Sequence, residues 1–386
     1  MKGIFSAGLL SKQFVLLCLS ATLFMGSFNM IIPELPNYLT SLGGADYKGL
    51  IISLFAATAA LSRPFSGKLT DLIGRKPIMI FGAVAAAVCA ALYPFFATIW
   101  GFFILRLVHG LSAGFKPTGS TAYLADVVDS KNRGEALGLL GMSGSVGMAA
   151  GPAIGSALAM KFGLNAMFAV SSFTALLSIL ILLGMEESIE TKRFELSMLK
   201  INFQDIFEKR VVAPALVMIL TVYSFGMALT IIPDLSEHLG IKNKGIFFTV
   251  MLIASIITRL YSGKASDRLG RVKMLRMGSL ALLIGMTIIA FSTSKIPLFA
   301  GALIFGVATG INSPTLFAWT VDLADSAKRG RAMATLFIAL ELGILSGALI
   351  SAEIYNNNPV NFTWAFLSGS ILAAISLGYL ALKDKL

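Results

Sequence analysis

Arg106, His109, Ala113, Lys116 and Ser120 recur at steps of 3, 4, 3 and 4 in a run that is otherwise almost wholly apolar, bordered by Gly110 and Pro117. At about 100° per helical residue they share one stripe under about 90° wide. A cation at the centre of a hydrocarbon layer costs about 2.5–3.5 kcal/mol on insertion scales, so such a stripe must face protein or a water-filled cavity. His109 is a group that can exchange a proton near neutral pH, and equally one that can pack as a neutral, hydrogen-bonded imidazole. Lys116 has two equal uses: attracting an anionic or zwitterionic substrate, or reaching its ammonium out to the interface along an apolar stem.

Proton chemistry inside a membrane also needs a carboxyl that changes state. Glu341 lies ten residues into a span, in "FIALELGILSG", and ranks first. A carboxyl far from water without a partner favours its protonated form. Glu34 ranks second and Asp234 third. They sit beside Pro33 and Pro233 near span ends, where wetting by solvent explains them just as well.

The elements that hold these residues follow from composition. Of 386 residues, 56% are hydrophobic and 13% charged, and mean hydropathy is +0.82. Soluble domains carry about 25% charged residues. Apolar runs of spanning length follow one another at 12–38, 48–66, 77–97, 99–125, 135–160, 165–185, 211–235, 245–263, 274–294, 296–320, 332–354 and 362–382. Helices are the form such segments take across lipid, because no water is there to satisfy the backbone. The expected fold is an all-α membrane protein of twelve transmembrane helices.

The net charge of +11 invites a nucleic-acid reading that the placement of charge rejects. Of 31 Lys and Arg, 24 lie at the termini or at the loops and helix ends on the amino-terminal side, and five on the other. Positive-inside asymmetry then puts both termini in the cytoplasm of a cell (inner) membrane. The first apolar run, with only Lys2 and Lys12 before it, is expected to stay as a span rather than be cleaved. Cys18 and Cys89 fall inside spans and the two histidines, His109 and His238, are scattered, so neither a disulfide framework nor a metal site is expected.

Two short charged turns repeat at a fixed offset of 196. "SGKLTDLIGRK", from Ser66, answers "SGKASDRLGRV", from Ser262, with six of eleven positions identical. "AYLADVVDSKNRG" at 122–134 answers "AWTVDLADSAKRG" at 318–330, and, at an offset of 200, "IIPEL" at 31–35 answers "IIPDL" at 231–235. The chain therefore reads as two pseudo-symmetric six-helix bundles, 1–185 and 211–386. A polar linker, 186–210, joins them and carries a surface-lying amphipathic piece. Duplicated halves of this kind are a transporter architecture.

On these motifs the chain resembles the major facilitator superfamily. Gly67, Asp71, Gly74, Arg75 and Lys76 match its signature between the second and third spans, and Gly263, Asp267, Arg268, Gly270 and Arg271 its second copy. Leu72 stands where a basic residue usually follows the aspartate. Gly67 and Gly263 would let a neighbouring helix come near. Asp71 and Asp267 would each face a helix amino terminus of the other half. Arg75 would pair with Asp126 and Arg271 with Asp322. The resemblance implies that these groups gate the cytoplasmic side. "RLVHG" matches the superfamily's fourth-span motif, in which Arg106 is tied to proton coupling.

In the fifth span Gly147, Gly151, Pro152 and Gly155 resemble the signature of the proton-coupled drug and small-molecule antiporters. Gly144 extends the glycine face, Pro152 bends the rod, and Gly343 and Gly347 repeat the spacing without a proline. By the same resemblance the substrate cavity is lined by Met25, Asn29, Arg106, His109, Lys116, Tyr223, Met227, Asn312, Phe317 and Trp319. The expectation is a proton-coupled multidrug exporter for small, amphipathic molecules. Its partners are the substrate, protons and the lipid bilayer; it acts as a monomer, without cofactor or nucleic acid. The alternatives are a proton symporter importing a metabolite or organic anion, and a non-transporting receptor or scaffold. No nucleophile–base set or phosphate-cradling loop points to an enzyme.

Overall fold

A computed structural model describes residues 11–129, 133–200, 207–324 and 329–383. Residues 130–132 of the 122–134 motif, residues 325–328 of the 318–330 motif, and residues 201–206 of the linker lie outside these residues. The described residues form helices joined by turns and a linker, with no strand among them: α1 (Lys12–Ile31), α2 (Leu35–Ser41), α3 (Lys48–Leu72), α4 (Arg75–Leu92), α5 (Ile99–Val127), α6 (Arg133–Phe162) and α7 (Leu164–Leu183). After the linker come α8 (Val212–His238), α9 (Ile246–Leu269), α10 (Arg271–Ala290), α11 (Lys295–Leu323), α12 (Arg329–Tyr355) and α13 (Phe362–Lys383). The short α2 continues the first span, so the twelve expected spans map one to one onto α1 and α3–α13.

Eleven of these stretches are long and apolar enough, on the mean hydropathy of an 18-residue stretch, to cross a membrane. The helix that falls short on that average is α5, diluted by Arg106, His109 and Lys116. It is turned inside out: Ile104, Leu107 and Val108 are 55%, 40% and 42% exposed, whereas Arg106 and His109 are 0% and 1%. Apolar side chains outside and charge inside is the pattern of a helix bathed in lipid.

Turn chemistry sets the helix ends. Ser11 Oγ accepts from Phe14 N at 3.2 Å, and Thr98 Oγ1 from Gly101 N at 3.1 Å, capping α1 and α5. The junctions α3–α4 and α9–α10 each reverse at one residue, Gly74 (φ +112°) and Gly270 (φ +89°). A side chain is strained in that region of backbone space, which explains the second glycine of each repeated turn.

The chain separates into two compact units, Met1–Ile32 with Thr58–Ile201, and Pro33–Ala57 with Asn202–Leu386. Residues 33–57, read from the sequence as part of the first bundle, thus pack with the second unit. Two contacts explain why. Asn37 Nδ2 donates to Glu237 Oε2 at 3.3 Å, and Gly49 sits so close to α12 that a Cβ there would lie 2.8 Å from Ala352 Cβ.

Inside the first unit α1 packs on α6 and α7, and α4 on α5 and α7; in the second, α8 packs on α12 and α13, and α10 on α11 and α13. Small residues make these approaches possible. A Cβ at Gly147 or Gly155 would lie 2.1 Å from Thr22 O or 1.9 Å from Met30 O of α1. One at Gly347 would lie 2.0 Å from Tyr223 O of α8. Serine pairs add hydrogen bonds: Ser20 Oγ and Ser178 Oγ are 2.9 Å apart between α1 and α7, and Ser279 Oγ and Ser376 Oγ 3.0 Å apart between α10 and α13.

The glycines expected to admit a neighbouring helix at the repeated turns do not do so. A Cβ at Gly67 or Gly263 would meet nothing within 4 Å. Ser66, one residue earlier, points into the packing face and donates to Gly114 O at 2.7 Å; Ser262 repeats this on Gly310 O at 2.9 Å. One residue is about 100° of helix, so Gly67 and Gly263 are turned off that face. The close approach belongs to Gly114 and Gly310.

Candidate functional site

The α5 stripe is buried as its spacing requires. Arg106, His109 and Lys116 are at most 1% exposed. Tyr93, at the end of α4, joins the first two: Arg106 Nη1 donates to Tyr93 Oη at 3.3 Å, and Tyr93 Oη lies 3.4 Å from His109 Nδ1. The Tyr93 ring stacks on Phe168 at 5.1 Å, and Phe28 meets the His109 ring edge-on at 5.8 Å. A guanidinium, a phenol and an imidazole are thus linked by hydrogen bonds and walled by aromatic rings. Such a chain can pass a proton or hold an anionic group in a dry setting.

Lys116 does not reach the interface. Its Nζ donates to Ser20 O at 3.3 Å and stands over the Phe24 ring at 4.7 Å. It is thereby held against α1 by a carbonyl and a cation–π contact. Asn29 and Met25 also lie on α1, where Asn29 Nδ2 donates to Met25 O at 2.8 Å, and Met25 packs near Gly144 of α6. These residues of the first unit therefore sit among α1, α4, α5 and α6.

In the second unit Glu341 is 5% exposed in the middle of α12. The other cavity candidates there make contacts of helix packing. Tyr223 Oη lies 2.8 Å from Ser368 Oγ of α13, and Met227 is wholly buried beside Gly369. Asn312 Oδ1 presses on Gly278 of α10 and meets no hydrogen-bond donor. Trp319 and Phe317 belong to one apolar cluster with Met218, Leu275 and Leu336.

The two carboxylates beside Pro33 and Pro233 are buried rather than wetted, Glu34 at 8% and Asp234 at 9% exposed. Asp234 forms an ion pair with Lys48 at the start of α3, whose Nζ also stands 5.9 Å from the Tyr355 ring centroid. Nothing in the sequence pattern pointed to Lys48 or Tyr355. Nor was Tyr93 flagged, since a tyrosine at a span end is ordinary.

At the repeated turns Arg75 Nε lies 2.9 Å from Asp126 Oδ2 and Arg75 Nη1 2.5 Å from Asp71 Oδ1. Arg271 repeats the pattern with Asp322 at 2.8 Å and Asp267 at 2.6 Å. Each aspartate of the turn thus serves the arginine four residues on. Glu187 of the linker adds a cap, accepting from Arg75 N at 3.1 Å and Lys76 N at 2.9 Å. The amphipathic piece foreseen in the linker is, among described residues, one turn of 3-10 helix, Leu196–Leu199, whose Met198 packs against Leu69, Ile78 and Phe115.

Comparison with known proteins agrees with this architecture. The chain is 29% identical over 345 residues to the multi-drug resistance efflux pump PmrA of Streptococcus pneumoniae, covering 85% of each sequence. Its fold matches that of the human organic anion transporter MFSD10, with a TM-score of 0.74 at 19% identity over 95% and 98% of the two chains. It also matches a D-xylose–proton symporter, at 0.78 and 15% identity over 95% and 96%. The family model described as "Major Facilitator Superfamily" matches residues 17–242 and 214–385, nearly the whole chain. With twelve spans, the repeated turns and that match, this chain belongs to the Major Facilitator Superfamily, and is a multi-span membrane transporter of small molecules rather than an enzyme.

Proposed function

We propose that the protein is a proton-coupled antiporter that exports small, amphipathic molecules by alternating access. The observation that carries this reading is a buried ionisable set in membrane spans, with Arg106 and His109 linked through Tyr93 in one unit and Glu341 buried in mid-helix in the other. Intramembrane charge is costly, so ionisable side chains buried in spans point to function by default. Glu341 is the proton-carrying carboxyl, with Glu34 next. Asp234, already salt-bridged to Lys48, ranks below both. Arg75–Asp126 and Arg271–Asp322 act as the cytoplasmic gate.

Export as the direction is supported by the Gly147-to-Gly155 face of α6 and by the likeness to a multidrug efflux pump. The energy suffices. One proton moved down 100 mV supplies about 2.3 kcal/mol, and one pH unit about 1.4 kcal/mol. Together these sustain a gradient of a few hundredfold for a neutral substrate.

The test is dye accumulation in inverted membrane vesicles energised so that the lumen is acidic, with protons driven outward as dye moves in. Uptake of a lipophilic cationic dye that collapses with an uncoupler, and is absent in Glu341→Gln at equal protein level, is the expected result. Uptake that persists in Glu341→Gln would remove that carboxyl from the mechanism.

A further inference from the structure

The linker does more than join two bundles. Between the last turns of α3 and the linker lies an open cleft of about 590 Å³, lined by Lys68, Lys192 and Arg193 together with the apolar Leu72 and Met198. Glu195 and Ser197 also line it, and Ser197 Oγ donates to Glu195 Oε2 at 3.1 Å, which engages the lone carboxylate. Three cations and one carboxylate thus line the cleft, a net positive charge.

The cleft is built rather than incidental. Lys192 N donates to Leu72 O at 2.9 Å and Lys68 Nζ to Lys200 O at 2.6 Å, tying the linker to α3 on both sides of it. Glu187 anchors the same strand of linker on the amino terminus of α4. The apolar lining is continuous with the bundle, since Met198 packs on Leu69, Ile78 and Phe115 of three spanning helices. Phe194 and Leu199, 54% and 36% exposed, stand on the linker beside the cations. Cations on the linker and on the last turn of a spanning helix, with exposed apolar side chains next to them, match a molecule that is anionic at one end and greasy at the other.

We infer that this cleft binds the phosphate of an anionic phospholipid headgroup, with Lys192 and Arg193 as the principal charges and Lys68 behind them. Its volume lies in the range of small-molecule sites and holds far more than a bare phosphate. Lipid bound there would clamp the linker onto the Arg75 turn, so that bilayer composition would act on the proposed gate.

The experiment is native mass spectrometry of the full chain offered phosphatidylglycerol and phosphatidylcholine in turn. The wild type is expected to retain phosphatidylglycerol preferentially. Lys192→Gln/Arg193→Gln should weaken that retention on the order of thirtyfold, at about fivefold per charge, with phosphatidylcholine unaffected. Both side chains are exposed, so folding is not at stake. The variant Glu195→Gln, which removes the one carboxylate, should keep or strengthen retention. An unchanged preference in the double variant would overturn the assignment. Displacement of phosphatidylglycerol by inorganic phosphate alone would overturn the lipid as its source.

Discussion

At the scale of single residues the molecule keeps its charges where hydrocarbon would not tolerate them alone. Arg106, His109 and Tyr93 share hydrogen bonds, and Lys48 and Asp234 share an ion pair with side chains only 13% and 8% exposed. Removing one member of such a pair strands the other, a cost of about 3–5 kcal/mol. Asp234→Asn should therefore lower the thermal midpoint in detergent by several degrees. Replacing both partners with apolar residues, as in Lys48→Met/Asp234→Leu, should recover most of the loss. An unaltered midpoint in the single variant would show that the pair contributes nothing. The stripe on α5 was legible because helical periodicity is local. Tyr93 and Lys48 were not, because their partners lie 13 and 186 residues away along the chain and neither sits on a repeated motif.

At the scale of elements glycine does two separate jobs that look alike in sequence. Along α6 it lets α1 come to backbone contact, so a methyl at Gly147 would meet Thr22 O at 2.1 Å. Gly147→Ala should destabilise the first unit by about 1–3 kcal/mol through overpacking. At Gly67 the same methyl meets nothing within 4 Å, so Gly67→Ala should change stability by at most about 1 kcal/mol, in the favourable direction, by helix propensity. Thermal unfolding of the two variants side by side checks the contrast, and equal losses would refute it. Spacing alone could not separate the cases, because it specifies a face without saying what the face meets. The serine one position away, bonded to Gly114 O or Gly310 O, decides it. At the repeated turn the arginine reaching an aspartate 51 residues on was legible in both copies, whereas the positive φ of its second glycine and the pairing of Asp71 and Asp267 with the same arginines were not.

At the scale of the whole molecule, composition and repetition reach furthest. Long apolar runs and the offset of 196 led to twelve spans in two related sets, and the charge-bearing α5 is a span despite its low average hydropathy. The boundary at residue 185 did not anticipate that residues 33–57 pack with the second unit, because that membership rests on Gly49 and Asn37 meeting α12 and α8 far along the chain. What joins these scales is the claim that buried ionisable groups couple proton movement to export. Its most direct measurement is lumenal pH in vesicles holding the purified protein, as cationic, neutral and anionic compounds are added across an imposed proton gradient. Antiport predicts compound-dependent proton flux opposite to compound movement, lost in Glu341→Gln; proton and compound moving in the same direction would contradict it.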